Sequence, residues 1–256
     1  MDIDQKRAQT FNQIAQLYDA ARPSYPAELI EDVISLAQLS ADAKILEIGT
    51  GTAKATLPFA QRGYTLHGLE PGNQLATVAA ANLRPYPKVT IETVTFEDWS
   101  LQPATYDLVM SAQAFHWIDP EVGYPKIAQA LKSEGSVALI WNMAVETDTA
   151  IAQQLDEIYA DYADWRITPF EQRQKEREQA LIASQCFAQP AIKRYFWSQR
   201  YTTQQYLDLT STQSDYLVQP KAKQRGLLDA IAIAINNSGG FIVRPYVSVL
   251  LLSKKI

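Results

Sequence analysis

The sequence predicts an α/β fold, a doubly wound and mostly parallel sheet with helices on both faces. Three observations predict it. Residues 44 to 48, KILEI, read as a short buried strand that ends at Gly49-x-Gly51, and a helical pattern follows. Further strand-like runs at 64–69, 89–94, 106–111 and 136–142 alternate with helical stretches near 53–62, 72–83 and 120–133. Such alternation implies parallel strands joined by right-handed crossovers. Acids also recur at successive strand ends: Glu47, then Glu70, then the pair Glu97 and Asp98. Ligands of open α/β sheets bind outside the carboxyl ends of the strands, where these acids gather.

The elements follow in order. Residues 1 to 21 read as a polar lead and a short helix, with Phe11, Ile14, Ala15, Leu17 and Tyr18 roughly on one face. Arg22-Pro23-Ser24-Tyr25-Pro26 breaks it, and Pro26 can start the next helix, about 27 to 38, with Leu29, Ile30, Val33, Ile34 and Ala37 inward. After the alternating core, 146 to 186 reads as two helices, 149–161 and 170–184, with a bend at Thr168-Pro169 beside Trp165 and Ile167. The mixed charges Glu171, Arg173, Lys175, Glu176, Arg177 and Glu178 suggest a solvated face. A sixth strand follows at 191–201. Thr202-Thr203 starts a helix, an amphipathic helix covers 224–236, and a long last strand covers 241–253.

The glycine turn carries the chemistry. Strand, glycine turn and helix N-terminus let a ligand approach the backbone and meet its N–H groups. A glycine pair alone is a weak signal. Glu47 sharpens it, because a carboxylate there would repel a pyrophosphate and instead suits an ammonium group. S-adenosylmethionine carries one, beside a sulfonium. Glu70 lies 19 residues past Gly51, near the roughly 20 expected for a ribose-binding acid. Phe96 can cover an adenine face, and Glu97 or Asp98 can accept from the adenine amino group while the other caps the turn.

The glycine motif, Glu70, Glu97-Asp98 and YDLVMSAQAFHWID match, in order and spacing, the motifs of class I S-adenosylmethionine-dependent methyltransferases, and residues 44 to 142 resemble that family. The last stretch, with Tyr18, Arg22 and Tyr25, is similar to the small-molecule branch that includes trans-aconitate methyltransferases. Ala53 departs from the family's third loop glycine; a methyl facing the helix side is expected to be tolerated. The resemblance implies a Rossmann-like seven-stranded sheet whose last strand is antiparallel and lies between the fifth and sixth, plus a helical cap. It implies a single domain: lid helices over 1–38, a cofactor-binding core over 39–145, a cap insertion over 146–186 and a C-terminal part over 187–256. S-adenosyl-L-methionine is the implied cofactor. Its implied contacts are Tyr18, Arg22, Glu47, Gly49, Thr50, Gly51, Glu70, Pro71, Gln74, Phe96, Glu97, Asp98, Ser111, Ala112 and Gln113. Of the acid pair, the resemblance favours Asp98 for adenine, with Glu97 close behind.

Methyl transfer from a sulfonium is an in-line displacement, so the protein chiefly aligns donor and acceptor and excludes water. A carboxylate acceptor needs no base at neutral pH; a hydroxyl or carbon acid does. His116, after the fourth strand, is the candidate catalytic residue: a general base, a hydrogen-bonding contact to the acceptor, or a pocket wall. Gln113 can line the acceptor pocket or cap backbone. His67 reads as structural and Asp119 as a helix N-cap. Trp117 and Trp141 can wall the pocket or sit in the core.

Composition excludes other classes. A net charge of −5 argues against nucleic-acid backbone binding, which needs clustered Lys and Arg. No Cys, His and acid set has metal-ligand spacing, and no glycine-flanked elbow surrounds Ser111. One cysteine, Cys186, permits no internal disulfide, which fits a reducing, cytoplasmic setting. No signal peptide is evident at the start, and the apolar runs at 136–141 and 247–252 are too short to span a bilayer, so no stable membrane association is expected. The expected partner is a small-molecule methyl acceptor; the oligomeric state has no sequence signal. Two competing readings are a non-catalytic adenosyl-binding protein and a nicotinamide-dependent oxidoreductase. Glu47 and the absence of GxGxxG argue against the latter.

Overall fold

A computed structural model describes residues 11–163 and 169–256. The expectations for residues 1–10 and for Trp165, Ile167 and Thr168 lie outside the described residues. Among the described residues, seven strands form one sheet: β1 (Lys44–Ile48), β2 (Thr65–Leu69), β3 (Val89–Glu92), β4 (Tyr106–Ala112), β5 (Leu131–Ala144), β6 (Ala191–Thr202) and β7 (Phe241–Lys254), in the order β3-β2-β1-β4-β5-β7-β6. β1 runs parallel to β2 and β4, β2 to β3, and β4 to β5. β7 runs the other way, as its partners along β5 show. Lys255 N donates to Gly135 O at 3.0 Å, Ser248 Oγ to Asn142 Oδ1 at 2.5 Å, and Val145 N to Pro245 O at 3.1 Å. The last strand therefore lies antiparallel between the fifth and sixth, as the family resemblance implies.

The chain divides into two compact units. The core unit comprises Ser24–Asn142, Arg173–Tyr195 and Ser248–Ile256. Its helices in the first half of the chain are Ala27–Leu36, Thr56–Gln61, Asn73–Leu83 and Pro120–Ala130. Leu29, Ile30 and Val33 of the first form the apolar stripe its spacing predicts, and they pack with Phe59, Ile45, Leu66, Leu108, Met110, Ile140 and Leu250 in one buried cluster. These strands are buried on both faces, which is why they read as nearly continuous apolar runs.

Two helix boundaries in the alternating core differ from the sequence expectation for a reason visible in the packing. The helix expected from residue 53 begins at Thr56. Ala53 has φ +72°, a left-handed conformation that cannot continue a right-handed helix, and its methyl is buried in the core cluster. The helix expected to reach residue 133 ends at Ala130, because Leu131 is extended, fully buried and paired with Tyr106. A register shift then separates that pair from Leu108 with Ser136, so Lys132–Gly135 belongs to β5 and not to a helix. Lys132 Nζ donates to Asp107 Oδ1 at 2.7 Å across this irregular start.

The second unit comprises the described part of Met1–Pro23, Met143–Gln172 and Phe196–Val247. It carries the helices Ala15–Ala21, Ala150–Ala163, Thr203–Ser211, Ser214–Leu217 and Lys221–Asn237. Leu155, Tyr159, Tyr206, Leu209, Leu227, Ile231, Ile235 and Tyr246 make its core. Thr202 caps the helix at Thr203: its side chain accepts from Gln205 N while the Gln205 side chain accepts from Thr202 N, a reciprocal box. The helix expected from 224 starts earlier, at Lys221, directly after Pro220.

The helix Phe170–Ala183 corrects one further expectation. Glu171, Lys175 and Glu176 are exposed, as a solvated face requires. Arg173, Arg177 and Glu178 are only partly exposed, and Gln174 and Leu181 are buried. The guanidinium of Arg177 lies 4.1 Å from the ring centroid of Trp141, which is itself buried. A planar, weakly hydrated guanidinium stacks on an indole at little desolvation cost, and a charge count along the sequence does not see this.

Candidate active site

The site is built at the carboxyl ends of β1 and β2. Gly49 N and Thr50 N both donate to Leu69 O, at 2.9 and 3.0 Å, which folds the chain back as it leaves β1. Gly49 has φ +71°, and a Cβ there would overlap that of Ala114. Gly51, at φ +60°, faces open space, with nothing within 4 Å of an added Cβ. The first glycine is thus required by close packing, and the second leaves room beside the backbone.

Two carboxylates flank this turn. Glu47, in β1, is buried, and its Oε2 accepts from Thr56 Oγ1 at the start of the following helix. Burial pushes its carboxyl up to about 8; the Thr56 hydroxyl opposes that rise and the charge of Glu70 adds to it. Glu70, also buried, accepts from Gly51 N through Oε2 and from Gly72 N through Oε1, both at 2.8 Å. Burial raises its carboxyl as well, against the two backbone N–H groups, which lower it. Each Glu70 oxygen spends one lone pair on the backbone and keeps one for another donor.

The remaining predicted residues fall into three groups. Ser111 Oγ donates to Ile48 O at 2.8 Å, so its hydroxyl ties β4 to β1. Ala112 ends β4, and Gln113 follows in a left-handed conformation, φ +62°. Gln113 N donates to Ile140 O and its Nε2 to Asn142 O, at 2.9 and 2.7 Å. Beyond β3, Asp98 Oδ2 accepts from Thr95 Oγ1 at 2.8 Å, and Asp98 N donates to the same oxygen at 3.1 Å. Asp98, which the resemblance favours for adenine, is therefore the acid that caps this turn, and both it and Glu97 are exposed. Phe96 is buried and stacks on Trp99 with centroids 6.1 Å apart. Pro71 and Gln74 are exposed at the start of the helix Asn73–Leu83. Tyr18 and Arg22 belong to the second unit. There Arg22 Nε and Nη2 donate to Thr212 Oγ1 and O at 2.9 and 2.6 Å, and its guanidinium lies 5.2 Å from the Tyr18 ring.

His116 follows β4 in a short 3₁₀ turn, its ring 4.6 Å from that of Trp117. More than a third of its surface is open, yet protein surrounds it on most sides, as for a side chain set in a recess. This enclosure, with the positive charges of Arg177 and Arg173, pushes its pKa down to about 4, so the imidazole is neutral at pH 7. Asp119 caps the helix at Pro120 through Oδ1, which accepts from Glu121 N at 2.9 Å. His67 contacts Tyr106 Oη at 2.8 Å and Glu92 Oε2 at 3.0 Å in mid-sheet.

The sequence reading missed four contributors. Thr56 holds Glu47, Ala114 sets the limit on Gly49, and Gly68 leaves the space that Thr50 fills. Lys126 clamps the turn after β3, donating to Glu97 O and Trp99 O at 2.8 and 2.7 Å. Only Thr56 had a sequence signal, a hydroxyl near the start of a helix that follows a buried acid.

Comparison with known proteins agrees with this geometry. Residues 46–139 match a family described as a methyltransferase domain. An uncharacterised methyltransferase of Mycobacterium tuberculosis is 27% identical over 246 residues, covering 94% of this chain and 93% of its own. A solved protein of Anaeromyxobacter dehalogenans, assigned as a type II methyltransferase, superposes with a TM-score of 0.67 at 22% identity, over 91% of this chain and 97% of its own. Geranyl diphosphate C-methyltransferase of Streptomyces coelicolor, solved with S-adenosyl-L-homocysteine, shares the fold at a TM-score of 0.53 and 13% identity, over 100% of this chain and 98% of its own. Sheet order, the two carboxylates at the glycine turn and the family match define a class I S-adenosylmethionine-dependent methyltransferase. The chain is an enzyme of that class, and its cofactor is S-adenosylmethionine.

The residues fit that group. A buried carboxyl suits the ammonium, a second one with spare lone pairs suits the ribose hydroxyls, and the open space at Gly51 admits the ligand to the backbone. Among the described residues, no helix is long and apolar enough to cross a membrane.

Proposed function

We propose that the enzyme methylates a small-molecule acceptor bearing a carboxylate or a hydroxyl, and that the glycine turn with Glu47 and Glu70 holds the donor. The observation that carries the site assignment is the convergence of two buried carboxyls on one turn, close enough that the charge of Glu70 raises the Glu47 carboxyl. Burying two like charges together is expensive unless a cation joins them. The ammonium of the amino-acid tail is such a cation. Gly49, Thr50 and Gly51 line the approach. Glu70 accepts from the ribose, and Pro71 and Gln74 flank it. Phe96, Glu97 and Asp98 make the adenine end, with Asp98 Oδ1 as the acceptor left over from its turn. Ser111, Ala112 and Gln113 close the floor.

S-adenosylmethionine supplies an activated methyl group, so the transfer needs alignment and exclusion of water more than acid–base work. An imidazole whose pKa is near 4 is a weak base, and this favours His116 as a hydrogen-bonding contact that positions the acceptor. The arginines that depress it make the recess electropositive, which suits a carboxylate acceptor; such an acceptor is already ionised at pH 7 and requires no base.

Calorimetry with S-adenosylhomocysteine tests the cofactor site. Glu70→Ala should weaken binding by about 1–3 kcal/mol, the loss expected for hydrogen bonds to a charged group. Unchanged affinity would remove Glu70 from the site. A turnover screen of organic acids and alcohols, following S-adenosylhomocysteine release, tests the acceptor class.

A further inference from the structure

The second unit holds a cluster that the cofactor site does not use. Arg244, in β7, is enclosed on nearly all sides, while part of its surface stays open to solvent. Its Nη1 donates to Tyr206 Oη at 2.9 Å, and its guanidinium carbon lies 5.5 Å from the Tyr206 ring centroid and 5.7 Å from that of Tyr246. The phenols are themselves linked. Tyr159 Oη donates to Tyr206 Oη at 3.2 Å, and the Tyr201 and Tyr246 hydroxyls share a hydrogen bond at 3.0 Å. Trp197 stacks on Tyr246 at 4.5 Å and closes one side.

The charge count of this cluster does not balance. Among the described residues, the groups that act on Arg244 are tyrosines: Tyr206, Tyr246, Tyr159 and Tyr201. Among the described residues no carboxylate pairs with it. Burial pushes the phenols of Tyr159, Tyr201 and Tyr246 upward, so they stay neutral at pH 7 and leave the guanidinium charge uncompensated. Arg22 adds a second positive charge, felt at Tyr246. A guanidinium has five N–H donors in a planar fork, and protein acceptors take one of them here. An enclosed cation with unspent donors and partial access is built to receive a planar or tetrahedral oxyanion.

We propose that Arg244, framed by Tyr206 and Tyr246, is a binding site for the oxyanion group of a small molecule, a carboxylate or a phosphate. The aromatic walls hold the fork in plane, and the hydrogen bond to Tyr206 fixes its rotation, so two N–H groups stay presented together. The inference does not depend on the cofactor assignment, because Arg244, Tyr206 and Tyr246 are not among the residues assigned to the cofactor and binding is read without it.

The test is titration of the full chain, free of cofactor, with succinate and with inorganic phosphate, following the Nε–H resonance of Arg244 by nitrogen-15 NMR. A saturable shift at millimolar anion is the expected result. Saturation by succinate alone identifies a carboxylate ligand, by phosphate alone a phosphate ligand, and by both an oxyanion site of broad tolerance. In calorimetry with the same two anions, Arg244→Lys should weaken binding about tenfold, since a point charge cannot make the forked contact. Tyr206→Phe keeps the guanidinium but removes the hydrogen bond that fixes its rotation, and should weaken binding less than Arg244→Lys does. If neither anion moves the Arg244 resonance in the native chain, or if a folded Arg244→Lys variant binds as the native chain does, the proposal is overturned. A parallel S-adenosylhomocysteine titration reads the cofactor site separately, so the failure of either reading is visible alone.

Discussion

Binding of the cofactor product should release a proton, and Glu47 is the group that gives it up. Burial holds this carboxyl up to about 8 in the free protein. At pH 7, about one unit below that value, roughly 90% of it is protonated, and at pH 8 about half. An ammonium placed against it favours the ionised form and returns it toward the ordinary carboxylate range. Uptake of S-adenosylhomocysteine should therefore release about 0.9 proton at pH 7 and about 0.5 at pH 8. Calorimetry in buffers of different ionisation enthalpy reads this number as the slope of observed heat against buffer enthalpy. Glu47→Gln should abolish most of the slope and weaken binding by about 1.5–3 kcal/mol, the worth of a charged hydrogen bond. Any slope that survives belongs to Glu70, whose carboxyl is raised too. Binding by the native chain with zero slope at pH 7 would refute the reasoning. The same shift acts on stability. The folded state holds a proton that the unfolded chain loses near the ordinary value of 4.5, so stability falls as pH rises from there to about 8. Glu47→Gln should relieve this, by about 1.4 kcal/mol for each unit of the shift, in thermal melts at pH 8 but not at pH 4.

Other outcomes follow from the geometry. Gly49→Ala puts a Cβ onto that of Ala114 at a left-handed φ and should cost about 2–4 kcal/mol in urea denaturation; Ala114→Gly should recover part of it. Asp119→Ala removes the cap of the helix at Pro120 and should cost about 1 kcal/mol in thermal unfolding with S-adenosylhomocysteine affinity unchanged. His116→Gln should lower turnover and leave cofactor affinity intact. Because the imidazole titrates near 4, the native pH–rate profile should show no histidine limb between pH 6 and pH 8, and a limb there that disappears in the variant would restore the general-base reading.

The elements were legible because their signals are local. Apolar runs marked β1, β2 and β4, the apolar stripe marked Ala27–Leu36, and Asp119-Pro120 marked a helix start. The two helix boundaries that moved in the alternating core did so for non-local reasons. Leu131 left its helix to pair with Tyr106, and Ala53 left its own to close the turn and fill the core. Glycine spacing and an acid at each strand end also placed Glu47 and Glu70 at one corner, since parallel strands bring their carboxyl ends together whatever the helices between them do.

What the sequence by itself determined was therefore the strand–turn–helix alternation, the glycine corner at the strand ends and the sign of the charge gathered there. Only the tertiary structure decided how those charges are held. It set Thr56 on Glu47, divided the Glu70 oxygens between Gly51 and Gly72, laid Arg177 on Trp141, and enclosed Arg244 among tyrosines drawn from two helices and two strands. The physical reason is range. Periodicity reports which face of an element is buried, but a pKa or an unspent hydrogen-bond donor depends on which atoms from distant parts of the chain finally surround it, and no local pattern encodes that.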